Sequence, residues 1–148
     1  MHELIYAMRF VGQATPMSAD GNVLKATTSA PSSALTATVG PSGLSSTLCP
    51  VDGGAATFVS EVTFTGTTRF REVGTIGFGA GRLLRFSTVG NGYLDTSSDK
   101  TRKHGAVVWR IDEGEGQFAG ATGLITSNFF VGDDLTVTDH HFGVIFLA

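Results

Sequence analysis

The sequence predicts an all-β fold, a small closed antiparallel β-barrel of about eight strands, and three observations carry that expectation. No stretch holds a 3.6-residue apolar period, whereas period-two alternation of β-branched and aromatic residues recurs along the chain. Twenty glycines leave little room for helices longer than two turns. Consecutive apolar segments are joined by turns too short for parallel crossovers, so the strands must run antiparallel.

Residues 3–12 read as the first strand, with Leu4, Tyr6, Met8 and Phe10 on one face and Ile5, Ala7, Arg9 and Val11 on the other. Residues 13–55 are rich in Ser, Thr, Ala, Gly and Pro. Weak β segments lie near 22–28, 34–39 and 44–48, and all four prolines fall here. Proline cannot donate to a ladder, so this region is expected to form short or edge strands and long loops. From Ala56 the alternation sharpens. Residues 56–65 place Phe58, Val62 and Phe64 together, and residues 67–78 place Phe70, Ile76 and Phe78 opposite Arg69, Arg71 and Val73. Strands follow at 82–90, 104–112, 117–131 and 135–147, with a polar loop at 91–103 and glycine-rich turns between the later ones.

Several late strands are apolar on both faces, as in Val107, Val108, Trp109 and Ile111, or Val144, Ile145, Phe146 and Leu147. One face can fill a barrel interior. The other then needs cover, because large exposed apolar patches are uncommon on monomers, and a homo-oligomer is the expectation.

The 148 residues fit one domain, 1–148, with no visible linker or internal repeat. Net charge is −3, and no basic stripe of the kind that displaces DNA counterions is present, so a nucleic-acid partner is not expected. The cluster Lys100, Arg102, Lys103 and His104 reads as a solvated turn. A single cysteine, Cys49, precludes an intramolecular disulfide. Glu3 and Arg9 break the N-terminal apolar residues, unlike a signal peptide, and no apolar run approaches the roughly 18 residues of a membrane span. A cytoplasmic protein without a membrane partner is the expectation.

Residues 114–128, GEGQFAGATGLITSN, are the most distinctive stretch. Gly114, Gly116, Phe118, Ala121 and Gly123 resemble the Gly-Gly-x-Gly-x-Phe-x-x-Ala-x-Gly segment of allene oxide cyclases, dirigent proteins and related bacterial barrels. The resemblance covers the C-terminal part of the chain from about Val107, with a looser match in strand order from Thr57 onward, and it implies an allene-oxide-cyclase-like barrel with this segment as a turn between two late strands. A lipocalin-like barrel is the alternative. The spacing is not G-x-G-x-x-G, no helix follows, and Glu113 and Glu115 would repel a pyrophosphate, so no nucleotide site is read here.

Candidate chemistry is sparse. Asp139 and His141 share a face of the last strand while His140 faces the other way, so the two histidines cannot share a metal. His141 is a candidate general acid or base, with a surface imidazole as the plainer alternative. Glu61 interrupts a strand of Thr, Val and Phe, and Arg85 sits within LLRFSTV, where an arginine calls for a carboxylate such as Glu61 or an anionic ligand. Tyr6, Phe86, Trp109, Phe129 and Phe142 are candidate cavity walls, with core packing as the other reading, and Asn128 joins them as a polar contact. No G-x-S-x-G elbow supports serine catalysis, and no metal or other cofactor is expected. The expected function is therefore a cofactor-independent isomerase, cyclase or lyase for a small hydrophobic substrate, using Glu61, Arg85 and His141. The alternatives are a non-catalytic binder of a small hydrophobic molecule and a structural barrel with a filled lumen.

Overall fold

The computed structural model describes all residues, 1–148. Nine strands form one antiparallel sheet: β1 His2–Pro16, β2 Val23–Gly40, β3 Gly43–Phe64, β4 Arg69–Gly77, β5 Leu83–Thr88, β6 Gly92–Thr96, β7 Arg102–Glu115, β8 Thr122–Gly132 and β9 Thr136–Leu147. The only helical piece is a 3-10 turn at Gly116–Phe118. No helix is long and apolar enough to cross a membrane.

The sheet closes on itself. Around the ring the order is β3, β2, β1, β9, β8, β7, β5, β4, and a β3–β4 ladder joins the ends. Strand β6 pairs with the same two neighbours as β5, namely β4 and β7, so β5 and β6 are two halves of one ring position. Closure gives the interior positions a common dry core, because alternate residues on every strand must point inward. Phe10, Phe58, Phe70, Phe86, Trp109, Ile125 and Ile145 are all buried there.

Three sequence expectations change. Residues 13–55 are mostly strand: β2 and β3 form one long hairpin paired from Val23–Thr63 to Gly40–Gly43, with an irregularity between Pro31 and Ser33. Proline is accommodated because β2 and β3 lose their outer neighbours before reaching Pro31 and Pro50, so both prolines lie where one ladder is missing. The polar loop at 91–103 contains β6, whose Gly92 meets the ring of Phe70 so closely that a Cβ would lie 2.2 Å from it.

The glycine-rich stretch forms the plug at one end of the ring. Gly116 adopts φ +63°, a left-handed conformation that suits glycine, and starts the 3-10 turn. A Cβ on Gly114 would come within 2.0 Å of the Phe118 carbonyl oxygen. The turn drives Phe118 inward, where it packs on Phe78 with ring centroids 5.3 Å apart. Residues 117–121 are thus turn rather than strand, and β8 begins at Thr122.

Candidate functional site

The plugged half of the interior is filled by aromatic rings. Phe58 stacks on Phe86 at 5.5 Å, Phe86 meets Trp109 at 4.5 Å, and Phe10 stacks on His141 at 4.0 Å. Toward the other end the inward residues shrink to Ala14 and Ala26, and a cavity of about 290 Å³ remains. Its walls are mainly apolar, with Leu24, Val62, Phe64, Phe70, Phe129 and Val137 among them. Lys103, Asp133 and Leu135 lie at its mouth, near the β8–β9 turn.

Two carboxyl groups break this apolar lining: Glu72 from β4 and Asp139 from β9. Both are buried, at 6% and 5% exposure. Each is held by two donors. Ser60 Oγ donates to Glu72 Oε1 at 2.6 Å and Trp109 Nε1 to Oε2 at 3.1 Å. Ser127 Oγ donates to Asp139 Oδ1 at 2.6 Å, and His141 Nε2 lies 2.9 Å from Oδ2. Trp109 meets His141 edge to face at 5.0 Å, so the two clusters are contiguous.

The environment splits the roles of these groups. Burial pushes the Glu72 carboxyl up to about 8, the negative charge of Asp139 adds to the rise, and the hydrogen bonds from Ser60 and Trp109 oppose it. Glu72 is therefore mainly a neutral acid at pH 7, with an O–H to donate. Burial, and secondarily the Asp139 charge, also hold the Tyr6 hydroxyl far above its ordinary range. The Tyr6 hydroxyl, Thr28 Oγ1 and His141 Nδ1 are buried without hydrogen-bond partners. A buried polar atom left unpaired costs about 1–3 kcal/mol.

Of the residues singled out from sequence, His141 lies in this cluster and shares its face with Asp139. Phe86 and Trp109 are buried, but they pack behind the cavity and do not line it. Tyr6 points inward against Phe78 at 5.4 Å. Phe129 lines the cavity. Four candidates point away from the interior. Glu61 is exposed, and its partners across the sheet are Lys25 and Val73. Arg85 is exposed and pairs with Glu115 at 2.9 Å and Glu113 at 3.5 Å, so the anticipated Glu61–Arg85 pair does not form. Asn128 faces outward and bonds His104, and Phe142 is 48% exposed on the outer face. The period-two phase sent these four outward, since each alternates with an inward core residue.

Sequence reasoning missed Glu72. The signal was present: Glu72 falls in phase with Phe70, Gly74 and Ile76, so the phenylalanine that must be inside carries the carboxylate in with it. Comparison with known proteins gives no match to any family model, to any curated protein or to any solved structure.

Proposed function

We propose that this chain is an allene-oxide-cyclase-like barrel that catalyses a cofactor-independent proton-transfer reaction, an isomerisation or cyclisation, on a small hydrophobic substrate held in its interior. The observation that carries this reading is the pair of buried carboxyl groups, Glu72 and Asp139, in a mainly apolar cavity of about 290 Å³. Burial leaves Glu72 a proton to give, and such an acid beside a second carboxyl group is a usual basis of acid–base division of labour. Eight ring positions and the Gly114–Phe118 plug support the barrel assignment.

In the proposed reaction the Glu72 O–H donates to a carbonyl oxygen of the substrate. Asp139, oriented by Ser127 and His141, takes a proton from an adjacent carbon. The C–H electron pair forms the enol C=C as the oxygen gains the Glu72 proton. Delivery of the Asp139 proton to the far carbon of an unsaturated ketone, with return of the enol O–H proton to Glu72, then completes an isomerisation that restores both carboxyl groups and needs no external reductant or oxidant. The aromatic floor and apolar walls keep water from quenching the intermediate.

The test follows deuterium uptake from D₂O into the α-carbons of a panel of small hydrophobic ketones by NMR. Wild type is expected to accelerate exchange for at least one ketone. Glu72→Gln and Asp139→Asn should each lose about 10²–10⁴-fold, the usual contribution of a positioned acid or base. Binding of the neutral fluorophore 1-aminoanthracene without any exchange would instead establish a non-catalytic binding protein. Neither binding nor exchange would leave a structural ring.

A further inference from the structure

Beyond Ser29 the strand β2 parts from β1, and before Thr57 the strand β3 has no contact with β4. Residues Ser33–Gly40 and Gly43–Pro50 therefore pair only with each other and project from the ring as a two-stranded ribbon with both backbone edges free. An isolated ribbon is marginal in water, and free strand edges invite pairing with another chain. This one carries no charged residue between Ser33 and Pro50 to discourage such pairing. Its cross-strand pairs Leu35–Leu48, Ala37–Ser46 and Val39–Leu44 stand on one face. Leu35, Val39 and Leu44 are 56%, 82% and 73% exposed.

The departure of β2 leaves a second unpaired element. From His2 to Phe10, β1 has β9 on one side and no strand on the other. The cleft between this free edge and the base of the ribbon is lined by Ile5, Ala7, Ser33, Leu35, Val51 and Phe142, none of them charged.

We propose that the ribbon is a docking arm for a second copy of this chain, each copy laying its arm against the β1 cleft of the other. The chain itself supplies both halves of the fit: an uncharged apolar arm with free edges, and an uncharged apolar cleft beside a free edge. A two-fold arrangement satisfies both at once. The area is of the right order. An arm of eight residues per strand is about 26 Å long and about 10 Å wide, and presents on the order of 260 Å² per face. Giving one arm and receiving another then buries about 500 Å² per copy, about 1,000 Å² in total, which reaches the lower bound for a specific interface. This arrangement covers Ile5 and Phe142, outer-face apolar residues that an isolated ring leaves in water, and it does not depend on what the interior cavity does.

Light scattering of the full chain at micromolar concentration is expected to give twice the chain mass. The double variant Val39→Asp, Leu44→Asp is expected to run as a monomer with unchanged circular dichroism, because both residues lie outside the ring. A monomeric wild type overturns the proposal and leaves the arm free for a different protein. An oligomer that survives the double substitution overturns it equally. Should the variant fail to fold, the wild type decides: a nitroxide on Cys49, which is exposed and the only cysteine, must report one defined distance between copies. Absence of dipolar coupling rejects the arm contact.

Discussion

In an unfolded chain Glu72 titrates near 4.5, whereas burial in the ring lifts it to about 8. The folded state thus holds a proton that the unfolded state releases between these values. Its stabilising contribution is fully present below about pH 4.5 and is lost progressively as pH rises to about 8, by up to about 1.4 kcal/mol per unit. Urea unfolding across this range should show that decline in wild type. In Glu72→Gln, which carries a permanent amide, the decline should flatten and stability above pH 8 should exceed that of wild type. An unchanged slope would mean that the carboxyl is not buried as described. Asp139, like Glu72, is reached by two donors, Ser127 and His141. The alternation of the sequence sufficed to place His141 beside Asp139 on one face. It did not say that the donors reaching Asp139 come from two strands, because Ser127 and His141 become neighbours only through the β8–β9 register.

At the scale of elements, β4 illustrates how little freedom the interior leaves. A Cβ on Gly74 would lie 2.3 Å from the Val59 carbonyl oxygen and 2.9 Å from the Phe86 ring. Gly74→Ala should therefore cost about 1–3 kcal/mol, the usual range for overpacking, and lower Tm by several degrees in thermal unfolding. An unchanged Tm would show that β3 and β4 separate more readily than their ladder implies. The β8–β9 turn is strained in a different sense. Leu135 holds φ 63°, a left-handed conformation costly for a branched residue. Its carbonyl accepts the Ala14 amide at 2.9 Å, and its side chain lines the mouth of the cavity. The β2–β3 hairpin was hidden in the sequence because its Ala, Gly and Pro residues disfavour strands and its Ser- and Thr-rich run shows almost no apolar alternation. What makes it a strand pair is the ladder itself, seventeen matched pairs long.

For the molecule as a whole, closure of the sheet and incomplete filling of its interior are separate facts. The ring would be equally closed with larger residues at Ala14 and Ala26, and those alanines are what leave the cavity open beside Leu24 and Val62. Ala26→Leu should occupy part of that space. It should weaken 1-aminoanthracene binding about tenfold or more while leaving stability unchanged or raised by about 1 kcal/mol, as cavity filling usually does. Unaltered fluorophore affinity would place the binding site elsewhere on the protein.

The all-β class, the antiparallel order from Ala56 onward and the grouping of Phe58 with Phe64 and of Phe70 with Ile76 on single faces were legible in the sequence. They depend on period-two alternation and on short glycine turns, both of which are local. The glycine-rich segment was legible as a turn between two late strands, although the strand expected from residue 117 begins only at Thr122. The site was less legible. Arg85 and Glu61 stood out as charges among apolar residues, yet a strand has two faces, and alternation alone leaves open which face is the interior until the ring closes. Glu72 was overlooked although its phase was correct. Its chemistry comes from Ser60, Trp109 and Asp139, which lie on three other strands. Only the tertiary structure brings those strands together, because the burial that alters a carboxyl group's protonation is a property of the closed ring and not of any segment within it.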